Sequence, residues 1–304
     1  MLKDLFTFFS VAQMEEDLKL SNYKYQLPAE LMAQRPLSVR HQSRLMIYHH
    51  PSGEISHRHF IDLADFLPSD TLLVLNNTKV FPCRLLGQRS TGGHCEVFLL
   101  SLTGRQVGEH LLYPCLIKTT RPKKLGDQYH FSEGPGKRPL KAIIQERYPD
   151  GTFGVSFDDH NNLSDWLELI GKTPIPPYVR KGEGDEEDRE EYQTIYAKEL
   201  GSVAAPTAGF HFTDEVFDSL QKKGIDRAEV TLHVGRGTFA PVKDEDIRQH
   251  RMHQESYFID EKNLTKIKQA KKIIPVGTTS LRTYQAMLAE SDFQAGKIYQ
   301  TDLF

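Results

Sequence analysis

From about residue 83 to 158 the chain is built of short alternating apolar runs: "HCEVFLL", "EHLLYPCLI", "DQYHF" and "KAIIQERYPDGTFGVSFD". Glycine and proline punctuate them at the roughly eight-to-twelve-residue spacing of strands joined by tight turns, and Pro-Asp-Gly marks one such turn. A strand that alternates hides only one face. Short strands in series must therefore pack on one another, and the stretch predicts an inserted, small, antiparallel all-β domain over 83–158, a barrel or sandwich. Few other features narrow the fold as far.

On either side the texture differs. "TLLVLNNT" (71–78) is a short apolar run bounded by turn residues, the pattern of a buried strand. "LSDWLELIG" reads as a helix ending at Gly171. "TDEVFDSLQKKG" has Thr213 at the N-cap, acids in its first turn, lysines in its last and Gly224 beyond. "AEVTLHVG" reads as a strand, "DEKNLTKIKQAKK" as a helix capped by Asp260, "IIPVG" as a strand and "TSLRTYQAMLAE" as a helix. Strand and helix in turn predict an α/β domain with a mixed, largely parallel sheet, formed from 14–82 and 159–304 and interrupted by the barrel. The charge run in "IPPYVRKGEGDEEDREE" (175–191) reads as a solvated loop leading into a helix. Residues 1–13 read as an N-terminal extension ahead of Met14. They lack a basic n-region and a small-residue cleavage site, so they are not a signal peptide.

Composition excludes several function classes. A net charge of −3 over 304 residues rules out a general polyanion binder, so any nucleic-acid contact must come from a local patch. Cys83, Cys95 and Cys115 are odd in number and have no CxxC spacing, which argues against a disulfide framework or a cysteine zinc site and for a reduced, cytoplasmic setting. No apolar run approaches the ~18 residues of a membrane span, and no membrane partner is expected.

In a strand–loop–helix chain, ligands bind where strands end and helices begin. Three junctions have that form: "GSVAAPTAGFHFT" (201–213), with Thr207 and Gly209; "TLHVGRGTFAPV" (231–242), with Gly235, Gly237 and Thr238; and "PVGTTSLRT" (275–283), with Thr278, Thr279, Ser280 and Arg282. Glycines there let a backbone approach a ligand, and the N–H groups of helix starts hold anions. Each junction alone reads as turn chemistry; three within 80 residues read as a small-molecule pocket. "GRGTFA" has Ala240 where a dinucleotide fingerprint needs a third glycine, which counts against a Rossmann site and a standard methyltransferase.

His211, His233, His250 and His253 lie in or beside these junctions. In "HRMHQE" (250–255), His250 and His253 would share a helix face, but a third ligand for zinc is missing and no metal is expected. If the segment leads into a strand, His253 and Glu255 point the same way, the arrangement of a general base held in one tautomer. Basic residues cluster twice: Lys118, Arg121, Lys123 and Lys124 in a barrel loop, and Arg35, Arg40 and Arg44 near the start. Each cluster alone reads as a solvated face, and together they offer phosphate contacts.

The segments "YQLPAELMAQRPLSVRHQSRLM", "LLVLNNTKVFPCRLLG", "PPYVR", "YQTIYAKELGSVAAPTAGFHFT", "LHVGRGTFAPV", "HRMHQE" and "PVGTTSLRT" occur in an order that resembles one family throughout, from about Tyr23 to the last residue. That family is the S-adenosylmethionine:tRNA ribosyltransferase-isomerases of queuosine biosynthesis. The resemblance implies an α/β domain with an inserted small β-barrel. It also implies transfer and isomerisation of the ribosyl part of S-adenosylmethionine onto 7-aminomethyl-7-deazaguanine at the tRNA wobble position, giving epoxyqueuosine, adenine and methionine. S-adenosylmethionine is then a co-substrate, with no bound cofactor and no metal, and tRNA is the macromolecular partner of a monomer. The family pattern continues past Phe304 with a strand, a segment ending Asn-Phe-His-Leu-Pro and a helix. The alternative expectation is therefore a truncated form that binds tRNA and S-adenosylmethionine without turnover.

Roles follow from position at strand ends rather than from the resemblance. His211 and the His253–Glu255 pair are expected to do acid/base work, with His233 a further candidate. Thr207, Gly209, Gly235, Gly237 and Thr238 would line the pocket. Thr278, Thr279, Ser280 and Arg282 would hold the methionine carboxylate or a phosphate. Asn76, Asn77, Lys79 and Arg84 would read the base or the tRNA backbone.

Overall fold

In the computed structural model the described residues are 17–132, 138–235, 237, 242–250 and 252–303; the expected extension 1–13 and Thr238 lie outside them. An extended arm, 17–43, comes first and contributes no fully buried side chain. A hairpin of β1 (Arg44–His49) and β2 (Glu54–His59) follows, then a single turn α1 (Leu63–Phe66). Strand β3 (Thr71–Asn76) leads through β4 (Thr78–Val80) into seven strands: β5 (Arg84–Arg89), β6 (His94–Leu99), β7 (Arg105–Val107), β8 (His110–Thr119), β9 (Gln128–Phe131), β10 (Leu140–Arg147) and β11 (Phe153–Phe157). The chain returns through α2 (Leu163–Ile170), α3 (Asp188–Glu191), β12 (Glu199–Ser202), α4 (Asp214–Lys222), β13 (Asp226–Leu232), β14 (Glu255–Phe258), α5 (Glu261–Gln269), β15 (Lys272–Pro275), α6 (Gly277–Ala289) and β16 (Tyr299–Thr301).

The alternating segment closes. Strands run in the order β11-β10-β9-β5-β6-β8, and β11 pairs back onto β8, leaving β7 attached outside. A closed barrel has no free edge, so six short strands satisfy their backbones without help. Every second residue points inward: Leu85, Val97, Leu99, Cys115, Phe131, Leu140, Ile144 and Val155 form one core with Leu163 and Leu167 of α2. At Gly87 an added Cβ would lie 2.3 Å from the carbonyl oxygen of His130, so only glycine lets these two strands approach.

The second sheet has the order β15-β3-β13-β14-β16; β15 and β13 run parallel to β3, whereas β14 and β16 are antiparallel. It is mixed, with its parallel half around β3. The unbroken apolar run of β3 reflects burial on both faces. Leu73 and Leu75 pack with Phe212, Val216 and Leu220 on the α4 side. Leu72 and Val74 pack with Leu264, Ile267 and Met287 on the α5–α6 side. Each such burial contributes about 1.5–3 kcal/mol. Among the described residues no helix is long and apolar enough to cross a membrane.

Asn76 and Asn77, expected to face a ligand, are instead framework groups. The Asn76 amide nitrogen donates to the Leu232 carbonyl (3.1 Å), and its oxygen accepts from the N–H groups of Leu232 (3.1 Å) and Thr78 (3.2 Å). Asn77 accepts from the Thr231 hydroxyl at 2.7 Å and donates to Glu229 at 3.1 Å. Both side chains are buried, so backbone groups at the strand ends depend on them for partners. Asn76→Ala should destabilise the protein by about 3 kcal/mol, read as a lower urea midpoint, because it strands three buried backbone groups.

Candidate functional site

Because β15 and β13 both lie parallel to β3, their carboxyl ends share one edge of the sheet, and the three junctions meet there. Segment 201–209 runs across this edge. Val203 N–H donates to the Val234 carbonyl (3.0 Å), and the Ser202 hydroxyl accepts from Val234 N–H (2.8 Å). At its far end Ala208 abuts the start of α6: a Cβ on Gly277 would lie 2.9 Å from that of Ala208. Gly277 has φ +79°, so its backbone also favours glycine.

Two other small residues of this run accommodate the protein's own side chains. The His233 ring occupies the place a Cβ on Gly201 would take, and the Tyr196 hydroxyl does the same at Gly209. His233 is held by a hydrogen bond between Nδ1 and the Thr78 hydroxyl, 2.9 Å. Burial lowers its pKa below the ordinary histidine value, a shift that Glu199 opposes.

Glu255 and Arg282 form a buried ion pair behind the second and third junctions. One Glu255 oxygen accepts from Gly235 N–H at 2.8 Å and the other from Arg282, which also donates to the His253 carbonyl at 3.2 Å. Burial raises the Glu255 pKa, opposed by the Gly235 N–H and by Arg282. Arg282, expected as an anion ligand, thus has a protein carboxylate as its partner. His253 leads into β14 instead of sharing a helix face with His250, since the turn Ile247–Gln249 ends first. Its ring lies beside Gly237, where a Cβ would come within 3.2 Å. At the start of α6, Thr278 is exposed, Thr279 half-buried and Ser280 fully buried. Among the described residues no cluster of three or more histidine, cysteine, aspartate or glutamate side chains could hold a metal ion.

A cleft of about 540 Å³ opens beside the end of segment 201–209, at Thr207 and Ala208. Its walls are the arm (33–43), the loop 175–180, the 188–192 turn and Thr207, Ala208, Phe210 and His211. His211 packs against the Phe60 ring at 5.3 Å. Burial depresses its pKa, ahead of an opposing hydrogen bond to the Arg40 main chain, so the imidazole is neutral near pH 7. Tyr178, Tyr192 and Phe210 add aromatic surface for a flat ligand.

Most of the early cations are held by the fold. Arg35 pairs with Asp185, Glu187 (3.3 Å) and Glu191 (3.0 Å). Arg40 donates to the carbonyls of Gln193 (2.6 Å) and Glu191 (3.0 Å) and lies over the Phe210 ring. Arg84 pairs with Glu96 (3.0 Å) and donates to the Gly182 carbonyl. Lys79, Arg44, Lys118, Arg121 and Lys124 are exposed, whereas Lys123 donates to the Ile117 carbonyl at 3.3 Å. The charge run expected to be a solvated loop has a buried member, Asp188, which accepts from Arg180 and from Asp185 N–H at 2.7 Å. Arg180 in turn donates its main-chain N–H to the Gln34 side chain, 2.8 Å. Asp188, Arg180 and Gln34 were not among the expected site residues. "PPYVR" hinted at Arg180, but its partners lie far away in sequence.

A family model described as queuosine biosynthesis protein matches residues 20–304. The chain is 40% identical over 284 residues to the S-adenosylmethionine:tRNA ribosyltransferase-isomerase of Syntrophotalea carbinolica, spanning 92% of this chain and 80% of that protein. It is 41% identical over 294 residues to the enzyme of the same name from Natranaerobius thermophilus, spanning 94% and 82%. The chain belongs to the queuosine biosynthesis protein family. A crystal structure of S-adenosylmethionine tRNA ribosyltransferase from Thermotoga maritima is 28% identical and covers 93% of this chain and 78% of that one, with a TM-score of 0.41. As a member of the queuosine biosynthesis family this chain is an enzyme, a transferase, and the matched residues 20–304 include both the strand-end edge and the cleft.

The buried ion pair behind that edge can be tested directly. Arg282→Met should cost about 3 kcal/mol or more, because it leaves the Glu255 carboxylate buried and uncompensated. The Glu255→Gln/Arg282→Met double variant should recover part of that loss in urea unfolding.

Proposed function

We propose that this enzyme transfers and isomerises the ribosyl moiety of S-adenosylmethionine onto 7-aminomethyl-7-deazaguanine at the wobble position of tRNA. Epoxyqueuosine, adenine and methionine would be the products, and the setting cytoplasmic. The observation that carries the reading is a nucleoside-sized cleft, about 540 Å³, with a neutral histidine on its wall, adjoining the edge where three parallel strands end. The names of the relatives support S-adenosylmethionine and tRNA as the substrates.

The chemistry needs a base first. A sulfonium acidifies the carbon attached to it, so His211, uncharged and half-buried, can accept that proton. Electron flow from the carbanion opens the ribose ring and releases adenine. The amine of the deazaguanine then adds to the ring-opened fragment, and closure of the epoxide expels methionine. Arg282 and the Gly235 N–H both hold Glu255, and the His253 carbonyl is tied to the same guanidinium, so this group orders the second junction. His233, hydrogen-bonded to Thr78, is a second candidate for proton transfer. Thr207 and Ala208 line the cleft, and the exposed Thr278 stands at the start of α6 as a carboxylate partner.

The test is a product assay with S-adenosylmethionine and tRNA bearing the aminomethyl-deazaguanine, following adenine release and the mass of the modified nucleoside. Adenine together with epoxyqueuosine supports the reading; S-adenosylhomocysteine without adenine would point to a methyltransferase and remove it. His211→Asn should lower kcat by about 10²-fold or more. Because burial depresses the His211 pKa, the wild-type kcat/KM should stay level through neutral pH and decline only below about pH 6.5 as the base becomes protonated. A profile already falling between pH 8 and 7 would argue against His211.

A further inference from the structure

The β1–β2 hairpin leaves one face without a partner among the described residues. The register pairs Arg44 with His59, Met46 with His57 and Tyr48 with Ile55, so these six lie on one side. The other side carries Leu45, which packs on the α4-side core, and Arg58, which stands over the Phe66 ring. The outward residues are exposed: Met46 63%, Tyr48 56% and Ile55 55%. A polar-edged apolar patch of this kind marks a contact surface.

Charge selects its occupant. The face carries Arg44, His57 and His59 and no carboxylate. Two carboxylates of the neighbouring segments lie off it: Glu54 pairs with His49 on the other register, and Asp62 accepts from the main chain of His59 at 3.1 Å, closing the turn after β2. An exposed tyrosine beside an arginine, a histidine and a methionine is the composition of a stacking platform for unpaired bases with a phosphate contact at its edge.

Position favours the same occupant. Ser43, immediately before β1, lines the cleft and accepts from Phe60 N–H just after β2, 2.9 Å. Phe60 in turn packs against His211. The root of the hairpin is therefore the rim of the cleft. From Ser43 to Tyr48 a strand extends about 17 Å, the reach of a few nucleotides. We propose that this face, with Tyr48 as platform and Arg44 on a phosphate, holds the single-stranded RNA nucleotides next to the one that enters the cleft. The inference rests on the function proposed above and adds the surface that receives its RNA.

The probe is an anticodon stem-loop RNA carrying 7-aminomethyl-7-deazaguanine, with binding followed by fluorescence anisotropy without S-adenosylmethionine. Tyr48→Ala should weaken binding roughly tenfold. Arg44→Ala should weaken it and reduce the slope of log Kd against log salt by about one, as expected for one lost phosphate contact. Both variants should keep the wild-type unfolding midpoint, and Lys262→Ala on α5 should bind as wild type. Wild-type affinity and salt slope in both hairpin variants would overturn the surface while leaving the enzyme reading intact. Failure of the wild-type protein to bind the stem-loop, with no adenine released in the product assay, would overturn both. A third adverse result is a homodimer, seen by sedimentation, that Met46→Asp converts to monomer without changing RNA affinity; the face would then belong to a second copy.

Discussion

The amide of Asn76 is the constraint from which the functional end of the molecule follows. It closes hydrogen bonds to both main-chain groups of Leu232 and to Thr78 N–H, so the last residues of β3 and β13 are locked side by side in a buried setting. From that lock the chain departs in two directions. Thr78 starts the short strand that pairs with β12 and carries the hydroxyl that holds His233, while Phe81 and Cys83 begin the barrel core. After Leu232 the other strand delivers His233, Val234 and Gly235 to the same edge. Loosening the Asn76 amide would free the strand ends, the histidine and the barrel's attachment together, because one buried group satisfies all three backbone positions.

A second organising feature is how the fold uses its charges. Net charge is only −3, yet carboxylates crowd 183–191, while the arm 17–43 carries the cations Lys19, Lys24, Arg35 and Arg40. The structure brings these two populations together: Arg35 and Arg180 meet Asp185, Asp188 and Glu191 and fasten an arm that has no core of its own. The arm is a wall of the cleft, so the shape of the cleft depends on polar contacts, and exposed ion pairs of this kind weaken with salt. Buried Asp188, held by the half-buried Arg180, is the stronger fastening, since desolvated charge is costly to leave unpaired. Arg44 on the hairpin and Lys118, Arg121 and Lys124 on the barrel stay exposed.

Local pattern made much of this legible. β3 shows as an unbroken apolar run because both of its faces are covered, and the barrel strands show as alternation because only one is. Asp260 and Gly171 mark helix boundaries through chemistry internal to a few residues. The sequence is silent where partners are distant. Nothing near Asn76 reveals that it faces the backbone of Leu232, 156 residues on, and nothing near Arg35 reveals carboxylates 150 residues away. Position at a strand end therefore placed Asn76 and Asn77 with the ligand, when the same position makes them the groups that finish the sheet. The hairpin at 44–59 was missed for another reason: its alternation is interrupted by histidines and arginines, so its apolar signal is weak.

The run of small residues at 201–209 shows how structural and functional demands coincide. Gly201 yields to the ring of His233, Gly209 to the hydroxyl of Tyr196, and Ala208 meets Gly277 at the start of α6. Three elements that must converge at one edge can do so only if the strip between them lacks side chains. That strip bonds to Val234 through Ser202 and Val203 and lines the cleft with Thr207 and Ala208. Small residues first serve the packing of the protein's own groups, and the open cleft is what remains beside a strip that thin. His211, two residues beyond Gly209, continues that strip onto the cleft wall, where its ring packs against Phe60.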